Sequence, residues 1–475
     1  MRRRIGDPAS PILWILFFAD FACPPHPDDV ILNGRRIPYM AQADDVLLMS
    51  FSEAGLQVKL ALLEAWCWRN GLSINVTKTY LMAFGAVPKH PQPVWLGGQR
   101  LPISMQTDYV GITISSRGQL FKPRRERVVR TATAVLNACL ALEAYAGRVP
   151  TSMVRTLYLA RIDPYLTSGC ALDPLASDAA IEPLRSVQHT AIRRMLHLHP
   201  RSCIIPLYTE TGIWPIAYRR ALLAVRFLAY LAVDCPALLP ASAFAEACAL
   251  TRSGYRTWLS DLQSALSALP VPVTLDVSAG GSVTQQTVQD LRRKIEDSLR
   301  DYLVQEIHKS QRLVLLRDAW LPSLPQPHAL DRICATKPYL MLDADRASAI
   351  AQLLSSSHPY AVEGRRHAPR GVRREWRICR FCRARSEVET ELHVLLRCEG
   401  ECLTQRRNEF MVALETVGGQ YVRARAHMTD MEYFVYLLCS TEVIAQLADW
   451  VLFTYDMCKA IPVLEIASLQ DMESL

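Results

Sequence analysis

The tightest local constraint in this chain is the spacing Cys379-x2-Cys382-x10-His393-x4-Cys398. A thiolate pair two residues apart, followed by a histidine and a cysteine about one helical turn apart, can surround one tetrahedral Zn²⁺. Glu389 to Arg397 reads as a short helix presenting His393, with Leu392, Leu395 and Leu396 packing beneath it. Cys402 and His367 are alternative ligands by proximity, and free cysteines beside an ordinary histidine are the plainer reading.

The chain has fourteen cysteines, from Cys23 to Cys458. Outside Cys379 with Cys382 and Cys398 with Cys402 they stand alone in apolar or helical-looking sequence, as buried thiols do in a reducing compartment. A nuclear or cytoplasmic setting is expected on that basis. Arg2, Arg3 and Arg4 before the apolar run Ile12 to Phe18 imitate a signal peptide. Asp7, Pro8 and Asp20 interrupt that pattern, and no disulfide-like spacing follows, so a secreted protein is not expected. No run is long and apolar enough to span a bilayer, and no membrane partner is expected. At 475 residues, 50% apolar and 21% charged, the chain holds material for two to four packed domains.

Ser10-Pro11 reads as a helix start, with a hydroxyl N-cap and a proline at the first helical position, opening a buried helix to Phe21. The proline-rich stretch from Cys23 to Asp29 is a loop. Val30 to Leu32, Asn33-Gly34 and Arg36 to Tyr39 form a hairpin, because Asn-Gly supplies two positive-φ positions. Val46 to Phe51 follows Asp44-Asp45, which places both carboxylates where one strand turns into the next. Leu56 to Asn70 is an amphipathic helix ended by Gly71, and Val94 to Leu96 and Tyr109 to Ile114 are strand-like. Helical periodicity then runs through Val128 to Tyr145, Val154 to Leu166, Ile181 to Leu198 and Tyr218 to Leu231. Leu266 to Gly281 reads as a linker, and Val288, Leu291, Ile295, Leu299 and Ile307 mark the apolar face of a long helix.

Phosphoryl transfer from a nucleoside triphosphate uses two divalent ions held by convergent carboxylates on rigid backbone. An Asp-Asp pair at a hairpin tip supplies part of such a set, although adjacent aspartates also occur in ordinary turns. The order of motifs gives the pair its context. Gly6-Asp7-Pro8-Ala9-Ser10-Pro11 precedes an apolar helix, Ala43-Asp44-Asp45 lies between strands, Gly71 to Asn75 is followed by Lys78-Thr79, and Tyr109-Val110-Gly111 comes last. This order resembles palm motifs B, C, D and E of the reverse transcriptases of non-LTR, LINE-like retrotransposons. Leu184 to Gln188 with Arg193-Arg194, and Tyr208 to Ile213 with Arg219-Arg220, look like segments that follow the palm in that family.

The resemblance implies an RNA-directed DNA polymerase, a nucleotidyltransferase, with Asp44 as a Mg²⁺ ligand and Asp45 as its partner or neighbour. It makes Lys78 the group that protonates or stabilises departing pyrophosphate, and it places Gly6, Asp7, Pro8 and Ser10 near the incoming nucleotide and template. The family's motif A aspartate and its fingers would lie upstream of Met1, so an N-terminal truncation and loss of activity by the chain alone are expected. Gln42 stands where the family has an aromatic residue, and Ile5 where it has glutamine.

Similar knuckles close many members of that family. Arg365, Arg366, Arg370, Arg373, Arg374, Arg377, Arg380, Arg383 and Arg385 crowd the approach to the Cys/His cluster, with Trp376 among them. Guanidinium groups beside an indole suit phosphate and single-stranded base contacts, so Arg373, Arg374, Trp376, Arg377 and Arg380 are the expected nucleic-acid ligands. The net charge is +7. RNA and DNA are the expected partners, with a longer retroelement-encoded chain as a further one.

The expected fold is α+β: a partial palm over residues 1–116, with an antiparallel sheet and helices, then a helical thumb-like region over 117–265. A helical connector over 282–360 and an arginine-rich zinc knuckle with C-terminal helices over 361–475 follow. The alternative from another class is a non-enzymatic, zinc-dependent nucleic-acid-binding protein or a retroelement relic.

Overall fold

The structure, a computed structural model, describes residues 9–86, 91–175, 177–234, 239–276, 283–366, 372–384 and 386–465. It is a mixed α+β chain whose strands occur in four separate two-stranded antiparallel ladders, all before residue 116. The first pairs β1 (Val30–Leu32) with β2 (Arg35–Ile37). Asn33 and Gly34 take the positive φ values that this tight turn needs. In the second, β3 (Tyr39–Gln42) and β4 (Asp45–Leu48) pair Gln42 with Asp45, leaving Ala43 and Asp44 as the turn. β5 (Trp95–Leu96) pairs with β6 (Gln99–Arg100), and β7 (Gln106–Tyr109) with β8 (Ile112–Ser115).

The segment Tyr109 to Ile114 is therefore a turn and two strand ends, not one strand. Val110 and Gly111 both take positive φ and reverse the chain, and a valine in that region is uncommon enough to hide the turn.

The first helix departs from expectation in two ways. α1 (Ser10–Phe18) starts after Ala9, which is itself in a helical conformation, so Ser10 is the first helical residue and not a hydroxyl cap. It is also not buried: Ile12, Leu13, Ile15 and Leu16 are more than 60% exposed, and Phe18 alone is fully packed. Phe18 meets Trp66 edge-on at 5.1 Å and Phe21 at 5.3 Å. That places one stripe of α1 against a small core shared with α2 (Glu53–Arg69). The Trp66 indole N–H donates to Asp20 Oδ1 at 2.8 Å. Ser52 caps α2 by accepting from the Gly55 N–H, and Gly71, at φ 67°, follows its end.

Beyond residue 120 the described chain is helical. Its principal helices are α3 (Lys122–Ala141), α4 (Asp178–Met195), α5 (Ile205–Thr211), α6 (Ile216–Ala229), α7 (Trp258–Ser267) and α8 (Gln285–Lys309). They are followed by α9 (Ala344–Leu354), α10 (Glu401–Val417), α11 (Asp430–Cys439) and α12 (Ile444–Ala460). Buried side chains from Ala132 to Cys458 form one contiguous core. Val288, Leu291, Ile295, Leu299, Leu303 and Ile307 line the inner face of α8, as their spacing predicts.

The described part of the expected linker is pinned to that core. Leu269, Val273 and Leu275 are buried, and Gln263 donates to the Leu275 carbonyl at 3.1 Å. Apolar residues interleaved with prolines anchor an extended segment as firmly as a helix would. No single helix is long and apolar enough to cross a membrane among the described residues.

Candidate metal centre and nucleic-acid surface

A short antiparallel bridge builds the knuckle. Ile378 pairs with Val388, the Cys379 N–H donates to the Glu387 carbonyl at 2.9 Å, and the Glu389 N–H donates to the Arg377 carbonyl at 2.9 Å. Arg383, at φ 52°, turns the chain back after Cys382. The expected short helix is a single widened turn over His393–Arg397, with Val394 and Leu395 fully buried and the Cys398 N–H donating to the His393 carbonyl at 2.7 Å.

These turns bring one ligand atom each of Cys379, Cys382, His393 and Cys398 within 4.8 Å of one another. Cys379 Sγ lies 3.7 Å from Cys398 Sγ, and Cys382 Sγ lies 3.5 Å from His393 Nε2. Tetrahedral Zn²⁺ with Zn–S near ~2.3 Å and Zn–N near ~2.0 Å sets S···S at roughly 3.8 Å and S···N at roughly 3.5 Å. The donor set and its spacing therefore fit zinc. The Cys379 thiol donating to Cys398 holds the Cys398 thiol low, at about 4, while that same contact and burial push Cys379 up. A bound dication is what would ionise all three thiols.

Several groups that spacing did not reveal support this set. Glu387 Oε2 lies 3.0 Å from His393 Nδ1, out of line for a hydrogen bond but near enough to become the carboxylate that orients a ligating histidine. Gly400 leaves no room for a side chain: a Cβ there would stand 2.9 Å from the Phe381 carbonyl carbon and oxygen. Arg407 donates to the carbonyls of Leu396 and Cys398. Cys402 lies on the first turn of α10, outside the four-ligand group, and His367 lies outside the described residues.

The expected arginine surface divides in two. Arg373 and Arg374 are exposed, with the Arg373 guanidinium 5.3 Å from the centre of the half-buried Trp376 ring. Arg377 is turned inward, donating to the Val372 and Val362 carbonyls. Arg380 is not a surface group. It is 3% exposed, pairs with Glu389 at 2.7 Å, and donates to the carbonyls of Cys458, Ile461 and Pro359. All of its recognition capacity is spent inside the protein. Arg370 and Arg385 lie outside the described residues.

At the other end of the chain, Asp44 and Asp45 occupy the tip of the β3–β4 hairpin, both exposed. The Trp14 indole N–H donates to the Ala43 carbonyl and ties α1 to that tip. Burial and the Asp45 charge together raise Tyr109 above the usual phenol range, which places the β7–β8 hairpin close by. Lys78 ends a short turn capped by Asn75 and is exposed, and no ion pair joins it to Asp44 or Asp45 among the described residues. Ser10 lies at the start of α1, and Gly6, Asp7 and Pro8 lie outside the described residues. Among the described residues, Cys379, Cys382, His393 and Cys398 are the one group of three or more metal-type ligands that converge. Two exposed carboxylates at one turn do not by themselves fit a two-ion site.

The paired aspartates at one hairpin tip and the Cys₃His centre are the features that the relatives place in context. The chain is 27% identical over 196 residues to the probable RNA-directed DNA polymerase from transposon BS of Drosophila melanogaster, a match covering 40% of this chain and 21% of that protein. It is 26% identical over 235 residues to a putative 115 kDa protein in the type-1 retrotransposable element R1DM of the same organism, covering 47% and 22%. It is 25% identical over 231 residues to a retrovirus-related Pol polyprotein from type-1 retrotransposable element R2 of Popillia japonica, covering 46% and 31%. No family model matches the chain. It is thus a distant relative of retrotransposon polymerase proteins, and the matches span about a fifth to a third of their length.

Proposed function

We propose that this chain is the rear part of a non-LTR retrotransposon reverse transcriptase by descent, and that alone it binds RNA and DNA without extending a primer. The observation that carries the binding half is the Cys₃His centre, whose 3.7 Å and 3.5 Å ligand spacings fit Zn²⁺. Zinc would hold the bridge around Cys379 and the turn around His393 together, and Arg373, Arg374 and Trp376 are presented on the segment leading into it. Guanidinium groups take phosphate, and an indole offers a stacking face once Arg373 moves off it. Arg380 and Arg377 stabilise that surface from within and are not part of it.

The hairpin tip supports descent from a polymerase palm. Asp44 lies in the turn between two short strands and Asp45 opens the second of them, tied to α1 through Ala43, in the order the resemblance requires. No polymerisation step is assigned to this chain, because among the described residues the carboxylates converging there are too few to hold two Mg²⁺ ions. A longer retroelement-encoded chain is the partner that would complete the set. A nuclear or cytoplasmic setting follows from the same reading.

The test is salt-dependent binding of a single-stranded RNA oligonucleotide by the zinc-loaded chain. Arg373→Ala with Arg374→Ala is expected to weaken binding about tenfold and to reduce the slope of log affinity against log salt by about 1 to 2. Wild-type affinity that is independent of salt and unchanged in the double variant would exclude the arginine surface.

A further inference from the structure

α4 and α6 meet where the Ile216 N–H donates to Gln188 Oε1 at 2.8 Å, and beside that contact lies a space that neither helix fills. α6 lines that space with Ala217, Ala221, Ala224 and Arg220, α4 with Asp178, Arg185 and His189 among others, and α8 with Tyr302. The result is a cavity of about 350 Å³, toward the lower end of the roughly 300–1,000 Å³ typical of small-molecule sites. It lies in the helical core, far along the chain from both the hairpin tip and the Cys₃His centre. Three alanines also suit a helix for its own sake, so the polar groups of the wall decide what the space is for.

Some of those groups pair across the wall and others do not. His189 is 7% exposed, and its Nε2 lies 2.6 Å from the Tyr208 hydroxyl. Among the described residues its Nδ1 makes no hydrogen bond, and neither does the Tyr302 hydroxyl. Tyr302 instead stacks one ring face on Tyr218 at 6.1 Å. Arg220, which also lines the cavity, is 6% exposed and donates to the carbonyls of Leu166 at 2.8 Å and Asp173 at 3.1 Å. It has no carboxylate within ion-pair distance among the described residues, and its Nε has no partner at all. A buried guanidinium without a counter-ion favours any anion that reaches it. Arg185 is already neutralised, by Glu182 at 2.6 Å and by Asp178, also on the wall, at 3.1 Å, so Arg220 is the guanidinium that lacks a counter-ion.

We propose that this cavity takes one nucleotide unit: the base among the alanines, its edge hydrogen-bonded by His189 and Tyr302, its phosphate the counter-ion of Arg220. The inference rests on the nucleic-acid reading above and adds a second contact point to it. The unit comes either from single-stranded RNA with a base splayed out of the strand, the usual mode of RNA recognition, or from a free mononucleotide.

The experiment uses the full zinc-loaded chain. A single-stranded RNA twelve-mer carrying 2-aminopurine is titrated by fluorescence, and adenosine 5′-monophosphate by calorimetry, against wild type, Ala221→Leu and Tyr302→Phe. Ala221→Leu fills the cavity with a good helix former. Tyr302→Phe keeps the shape and removes the hydroxyl, so it remains informative if the first variant does not fold. The proposal expects Ala221→Leu to weaken RNA about tenfold with loss of the 2-aminopurine signal change, and Tyr302→Phe to weaken it about threefold. Heat from the mononucleotide that Ala221→Leu abolishes would identify the free nucleotide as a ligand; RNA binding alone would identify the strand.

If wild type binds RNA and both variants bind it equally well, with Ala221→Leu raising the melting temperature, the cavity is a packing void and the proposal is overturned. If wild type binds no RNA, the proposed function fails on its own, and the mononucleotide decides the cavity. Heat abolished by Ala221→Leu would then sustain the site, and no heat from wild type would overturn it.

Discussion

Arg380 and Glu389 form a bidentate ion pair inside the knuckle, with Nη2 2.7 Å from Oε1 and neither side chain more than 2% exposed. Arg380 lies between two candidate zinc ligands, and Glu389 also accepts the backbone N–H groups of Ala361 and Arg380 at 2.8 Å. The pair joins the knuckle to the chain near Pro359 and, through the Cys458 and Ile461 carbonyls, to the end of α12. Removing one partner would leave a buried charge without compensation. Glu389→Gln is therefore expected to cost about 3–5 kcal/mol of unfolding free energy. The exposed Arg373→Ala should stay within about 0.5 kcal/mol, and urea denaturation of the two variants beside wild type measures the contrast.

Zinc and the C-terminal helices should be lost together. The Trp450 indole N–H donates to the Leu395 carbonyl at 3.1 Å, inside the turn that presents His393. One equivalent of Zn²⁺ per chain is expected by native mass spectrometry. Chelation should lower the melting temperature by several degrees and change tryptophan fluorescence as Trp450 loses its partner. Cys398→Ala should reproduce both effects without chelator. A chain that carries no metal and melts identically with and without chelator would refute the centre.

His189 predicts a pH dependence. Burial first, then the charges of Arg193 and Arg185, depress it from 6.5 to about 4. Between those values the unfolded chain binds a proton that the folded chain does not, so stability rises with pH. The contribution is fully present above about pH 6.5 and is lost as pH falls toward 4, on the order of 3 kcal/mol over the window. Denaturant midpoints from pH 7 to pH 4.5 should fall, and His189→Gln should flatten that part of the profile.

Gly400 and Arg383 predict opposite effects on the knuckle. Gly400 has an ordinary φ of −58°, so Gly400→Ala acts by contact alone, pressing on the Phe381 backbone and spreading the two ligand-bearing turns. Zinc affinity should fall at least tenfold in a competition assay with a chromophoric chelator. Arg383 sits at φ 52°, where a Cβ is strained. Arg383→Gly should stabilise the metal-loaded chain by up to about 1 kcal/mol.

Local features that obey local rules were legible in the sequence. Asn33-Gly34 announced its turn, the apolar stretch after Asp44-Asp45 placed both carboxylates at a hairpin tip, and the cysteine spacing placed four ligand atoms together. The Val110-Gly111 turn was missed because a β-branched residue occupies a positive-φ position. α1 was misjudged because a helix that is apolar all round shows no face, so its exposure depends on what packs against it. The arginines could not be sorted by composition. Arg373 and Arg380 look alike in sequence, and only the approach of Glu389, nine residues on, buries one of them. The cavity beside the α4–α6 contact was invisible for the same reason: alanine spacing alone does not show whether neighbouring side chains fill the space next to it.

The most direct test of the central claim is primer extension on an RNA template with Mg²⁺, using the zinc-loaded chain beside Asp44→Ala, with RNA retention measured on the same samples. The account predicts that both proteins retain RNA and that neither extends the primer. Extension by wild type that Asp44→Ala abolishes would contradict it, by showing that this chain assembles a complete two-ion site of its own.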